Sequence, residues 1–153
     1  MRVADAEARM LDLVNGAEPA DPGEPGRLFP YLDPVLPAFM HGTWEGGLFD
    51  ENDPMGATLT RMRWYGKRFR DDEDVEPLLC RDEDGAIHSF TGMGLARLRA
   101  IAYRGTLSAA MVYDDRPIID HFRRVTDDVV AGAMDAKGQD SVLYFHLTRR
   151  PEA

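Results

Sequence analysis

From Phe39 to Arg149 the chain is cut into short runs in which apolar and polar residues tend to alternate. Tight turns separate many of the runs, at Asp84-Gly85, Arg104-Gly105, Asp114-Asp115, Asp127-Asp128 and Lys137-Gly138. Short strands joined by tight Asp/Gly turns, without intervening long helices, indicate an antiparallel meander. Roughly nine such segments suit a sandwich or a barrel. Closure into a barrel removes exposed strand edges and leaves an interior that can hold one small ligand.

The individual runs follow from period and turn chemistry. Thr58 to Phe69 reads as one long strand, with Met62, Trp64 and Gly66 on one face and Tyr65, Lys67 and Phe69 on the other. Pro77–Arg81 and Ala86–Thr91 flank the Asp84-Gly85 hairpin signal. Gly94–Tyr103 could present Leu95, Leu98, Ile101 and Ala102 on a helical face, and Arg97 and Arg99 alternating with Leu98 and Ala100 fit a strand nearly as well; the bend at Tyr103-Arg104-Gly105 into Thr106–Tyr113 favours the strand. Thr106–Tyr113, Pro117–Val125, Val129–Met134 and Ser141–Arg149 complete the meander.

The first 38 residues differ. Val3, Ala6, Met10, Leu11 and Val14 recur at helical spacing before Asn15-Gly16, which predicts a short helix over 4–15. Six of the ten prolines then lie between Pro19 and Pro37. They exclude a continuous helix or a central strand. Leu28, Phe29, Tyr31, Leu32, Val35 and Leu36 are nevertheless too apolar for a free linker, so the segment is expected to wrap the domain. The expected fold is mainly β, an antiparallel barrel over 39–153 with the helix and proline-rich wrap of 1–38, one structural domain overall.

Charge and cysteine content narrow the partners. A net charge of -9 and a pI of about 4.8 over 153 residues argue against nucleic acid, which requires clustered Lys and Arg. Cys80 is the only cysteine, so no intramolecular disulfide forms, and a cytoplasmic location is expected. No apolar run is long enough for a transmembrane segment, and a homodimer is left open.

Gly42-Thr-Trp-Glu-Gly46 resembles the signature of the GXWXG family, and the run Arg104 to Arg124 resembles the DUF4334 domain that follows it. Trp64-Tyr-Gly-Lys-Arg-Phe69 and Met134-Asp-Ala-Lys-Gly138 look like further shared blocks, so the resemblance covers about residues 28–150. Many relatives carry a longer insert between the Asp84-Gly85 hairpin and Arg97-Leu98-Arg99. A Gly-x-Trp first strand also resembles the calycins: lipocalins, fatty-acid-binding proteins and nitrobindins. That likeness implies a calycin-like barrel in which Gly42, Trp44, Gly46 and Arg149 are structural. Trp44 would plug one end and Arg149 or Arg150 would lie across its indole.

Chemistry is sparser. None of His41, His88, His121 and His146 has a partner at metal-ligand spacing, so no metal site is expected. Haem held by a lone axial His121 or His146 is a secondary expectation, with no cofactor as the first. The densest polar pair on strand-like sequence is Asp120-His121, of which only one can face inward. An inward carboxyl or imidazole in an apolar cavity could act as acid or base, or could instead pair with Tyr65, Lys67 or an arginine in a buried network. The expected ligand-binding residues are Trp64, Tyr65, Lys67, Tyr113 and His121. The leading expectation is a barrel that binds a small apolar or amphipathic molecule, fatty acyl, terpenoid or polyketide-like. The alternative is a cofactor-free isomerase, cyclase or hydratase using Asp120 or His121. A barrel filled by its own side chains would point to a structural or interaction role.

Overall fold

Alternation in the second half of the chain produces its longest strands. The computed structural model describes residues 1–151. Its strands are β1 (Gly42–Leu48), β2 (Trp64–Phe69), β3 (Val75–Arg81), β4 (Ile87–Ser89), β5 (Ala96–Tyr103), β6 (Thr106–Tyr113), β7 (Ile118–Thr126), β8 (Val129–Ala136) and β9 (Leu143–Arg150). All pair antiparallel in the order β2-β1-β9-β8-β7-β6-β5-β3-β4, and β2 also pairs with β3. Eight strands therefore close into a barrel, and the three-residue β4 hangs on β3 outside the ring. The first and last strands seal the meander, with Trp44 opposite Arg149. The loosest seam joins β3 to β5, where Val75 opposite Ala96 is the one registered pair.

The expected long strand from Thr58 to Phe69 is not formed. Pro54–Arg61 is a helix, and the strand begins only at Trp64. Asp53 is its N-cap, accepting from the backbone N–H groups of Met55 at 2.9 Å and Gly56 at 3.4 Å, and Pro54 takes the first helical position. The β-branched Thr58 and Thr60, which read as strand formers, bond back to the carbonyls of Pro54 and Gly56. Arg63, at a φ of 55°, turns the chain from helix to strand. This helix is the third in chain order, after α1 (Val3–Val14) and α2 (Glu24–Leu28), and is called α3.

Two cores follow from the two faces of the sheet. Inside the barrel, Trp44, Phe69, Leu98, Met111, Phe122 and Phe145 pack together. Outside it, Met10 and Leu13 of α1 and Leu28, Phe29 and Leu32 of the proline-rich wrap cover Val125, Val129, Ala131 and Ala133. β8 is thus buried on both faces, which is why Val129–Met134 reads as an unbroken apolar run. The buried Arg123 ties the wrap down, donating to the carbonyls of Leu32 at 3.2 Å and Tyr103 at 2.9 Å, while its guanidinium lies 4.9 Å from the Phe29 ring.

Candidate functional site

The two ends of the barrel are built differently. At one end Trp44 is fully buried and its indole N–H donates to the Met40 carbonyl at 2.8 Å. The Arg149 guanidinium lies 4.3 Å from the indole centre, and its side chain donates to the carbonyls of Phe39 and His41. This end is a sealed plug. Gly42, at a φ of +126°, takes a backbone conformation that side chains resist.

The other end holds a cavity. α3 lies across it, contributing Met55 and Leu59, and Met62, Trp64, Met93 and Met134 complete its apolar wall. Gly46 is what seats Trp64, since a Cβ there would stand 2.3 Å from the indole. Its free volume is about 20 Å³, room for one water. The lumen is therefore almost filled by side chains, and the residues at its α3 end, Met55, Leu59, Met62 and Met93 among them, are half-buried.

Its floor is polar. Lys67 on β2 and Asp120 on β7 form an ion pair, Nζ to Oδ2 at 3.1 Å, with side-chain exposures of 3% and 1%. Four strand-to-strand steps separate β2 from β7 in either direction around the ring, so the pair crosses the full width of the lumen. Beneath it Phe69 and Phe122, two residues further along each strand, meet edge to face at 5.8 Å. Lys67 also donates to the Pro77 carbonyl at 3.2 Å, and its ammonium stands 5.4 to 5.8 Å from the rings of Trp64, Tyr113 and Phe145. Asp120 Oδ1 is buried with no hydrogen-bond partner. Burial pushes the Asp120 carboxyl above the ordinary carboxylate range, against the opposing pull of Lys67. Burial, with Asp120 nearby, holds the Tyr113 phenol well above its usual value.

The five residues expected to bind ligand divide between the two faces. Trp64, Lys67 and Tyr113 line the cavity together with Asp120. Trp64 and Lys67 both line the cavity despite the odd spacing, because β2 carries one extra residue against β3 between Trp64 and Gly66; the second shift, between Gly66 and Arg68, is an extra residue on β3. Tyr65 consequently does not share the inward face with Lys67, and the Arg81 guanidinium lies 4.8 Å from its ring. His121 alternates away from Asp120 onto the outer face, where it stacks on Tyr103 at 3.8 Å under the N-terminal wrap. Burial lowers its pKa, partly offset by Asp135 at 3.7 Å. His146 is also absent from the lumen wall, packing against Phe49 at 4.9 Å, and burial pushes its pKa down to about 4. Neither histidine considered for haem lines the cavity. Among the described residues no three His, Cys, Asp or Glu side chains converge as a metal site. No helix among the described residues is long and apolar enough to cross a membrane.

A closed antiparallel barrel, plugged by a Gly-x-Trp strand and covered by a helix, defines a calycin-like fold. The chain belongs to the GXWXG family: the profile described as GXWXG protein matches residues 27–85, and the domain of unknown function DUF4334 matches residues 94–149. A crystal structure of a protein from Thermomonospora curvata is 56% identical, covers 96% of this chain and 99% of its own, and superposes with a TM-score of 0.92. No curated protein matches.

Proposed function

We propose that this barrel takes up a small apolar or amphipathic molecule at its α3 end, with the polar part of the ligand directed at Lys67, Asp120 and Tyr113. The observation that carries this reading is the buried ion pair with an orphaned carboxylate oxygen, set beneath a methionine-rich apolar wall. Stability alone is a weak reason to keep it, because apolar residues of similar volume often match or exceed a buried ion pair. Pockets for small molecules combine apolar walls with a few converging polar groups, as here.

With room for about one water inside, uptake requires α3 and the methionine side chains to move outward and open space for the ligand; a lumen that stays filled leaves the structural role instead. Gly56 is the one buried residue of α3, so little apolar area holds the helix down. Methionine side chains have three rotatable bonds and repack easily around an occupant, and four of the eight line this cavity. Native mass spectrometry after gentle purification, with titration of an environment-sensitive apolar dye, tests the reading. A co-purified small molecule or a saturable, displaceable fluorescence gain supports it; neither signal at any dye concentration refutes it and leaves a structural role.

The raised pKa of Asp120 and its free Oδ1 favour a second reading, cofactor-free isomerisation of a bound carbonyl compound. With a β,γ-unsaturated carbonyl compound, Asp120 would take a proton from the α carbon and return it to the γ carbon of the resulting dienolate, whose oxygen accepts from Lys67, so that the double bond moves into conjugation. Asp120→Asn abolishing turnover while sparing binding distinguishes it from simple uptake.

A further inference from the structure

We infer that the ligand of this lumen is neutral at its polar end and presents a hydrogen-bond donor, as an alcohol or phenol does, rather than a carboxylate. The inference rests on the uptake reading above and narrows it. Lys67 and Asp120 already neutralise each other at 3.1 Å, so the floor of the cavity carries no net charge to attract an anion. Two donors of the ammonium are engaged by Asp120 Oδ2 and the Pro77 carbonyl, and three aromatic rings surround it. The third N–H of Lys67 has those rings to meet, so the polar atom with no partner at all is on the other side of the pair. Asp120 Oδ1 is buried and without a partner, and an ionised carboxylate oxygen only accepts.

Each kind of head group meets that oxygen differently. A hydroxyl donates to Oδ1 and closes the network without adding charge. A carboxylate would place a second anion beside Asp120 in a low-dielectric site whose only cation is spoken for, which costs far more than in water. An ammonium could donate to Oδ1, but would bring a second cation close to Lys67. An ether of the same shape has no donor and leaves Oδ1 unsatisfied, the costly case for a buried acceptor.

Four probes of matched chain separate these cases on the intact protein: 1-octanol, octyl methyl ether, octanoate and octylamine, titrated by displacement of the apolar dye. Octanol is expected to bind about tenfold tighter than the ether, from the cost of an unsatisfied buried acceptor, and tighter than either charged probe. The double variant Lys67→Met/Asp120→Leu, which leaves an apolar floor with no partner for a hydroxyl, is expected to lose the preference and bind the ether at least as tightly as the alcohol. Octanoate, octylamine or the ether binding as tightly as the alcohol overturns the inference and leaves uptake standing. A double variant that keeps the full preference also overturns it, since Asp120 would not be the acceptor. Failure of all four probes to displace the dye, or of the dye to bind, overturns the uptake reading itself.

Discussion

Replacing Lys67 and Asp120 singly and together separates a pair kept for function from one kept for stability. Both ions are almost completely buried and 3.1 Å apart. Lys67→Met leaves an unpaired carboxylate across the lumen, a loss of about 3–5 kcal/mol for a broken buried pair. Asp120→Leu strands the ammonium, with the Pro77 carbonyl and three ring faces as partial compensation, and is expected to cost somewhat less. The double variant has no charge to bury and should lie within about 1 kcal/mol of the parent or above it. The coupling energy of the cycle is then about 3 kcal/mol or more. The penalty of Lys67→Met should also depend on pH. Burial already raises the Asp120 pKa and Lys67 is what opposes the rise, so in the variant the carboxyl stays protonated to higher pH. A raised acid favours folding below its folded pKa and loses that advantage as pH climbs through it, so the variant recovers stability towards about pH 5 relative to pH 8. Urea unfolding followed by tryptophan fluorescence and far-UV circular dichroism at both pH values measures all four corners. A double variant as unstable as the sum of the singles would refute the reasoning.

Three other outcomes follow from individual contacts. Gly46→Ala places a methyl where the Trp64 indole sits, 2.3 Å away, and should cost about 1–3 kcal/mol and shift tryptophan emission as the ring is displaced. His146 is held neutral by burial at a pKa of about 4, against 6.5 when free. A depressed folded pKa gives stability that is complete above 6.5 and drains as pH falls to about 4, up to about 3 kcal/mol; thermal melts of His146→Phe should lack that part of the acid decline. Asp53→Ala removes the α3 cap at about 1 kcal/mol, and stopped-flow dye binding should show a faster on-rate if α3 is the lid, with an unchanged rate excluding it.

How far the sequence disclosed this molecule depends on what decided each element. Thr106–Tyr113 lies between the turns at Arg104-Gly105 and Asp114-Asp115, so its limits could be read directly, although Ser108, Ala109, Ala110 and Met111 are all buried and periodicity alone does not pick out the lumen face. α3 could not, because Thr58, Thr60 and the polar residues around Trp64 imitate a strand; Asp53-Pro54, a cap followed by a first-turn proline, was the overlooked signal. The inward set on β2 was misread because strict alternation fails across a register shift. Pro77 on the neighbouring strand, without an N–H to donate, is the residue that hints at the irregularity. Choosing between Asp120 and His121 was beyond periodicity. β7 is covered by the wrap on its outer face, so both side chains are buried and neither looks solvent-exposed. The role of Gly46 was also hidden, since the ring it accommodates belongs to a residue 18 positions later.

Methionine methyl NMR examines the proposed uptake site most directly. The eight methionines sample the whole molecule: Met55, Met62, Met93 and Met134 line the cavity, Met40 lies at the plugged end, and Met10 lies under the N-terminal wrap. On addition of 1-octanol the four lining methyls should shift together and saturably, while Met10 and Met40 stay in place. Shifts confined to Met1 and Met10, or none at all, would contradict uptake into the barrel.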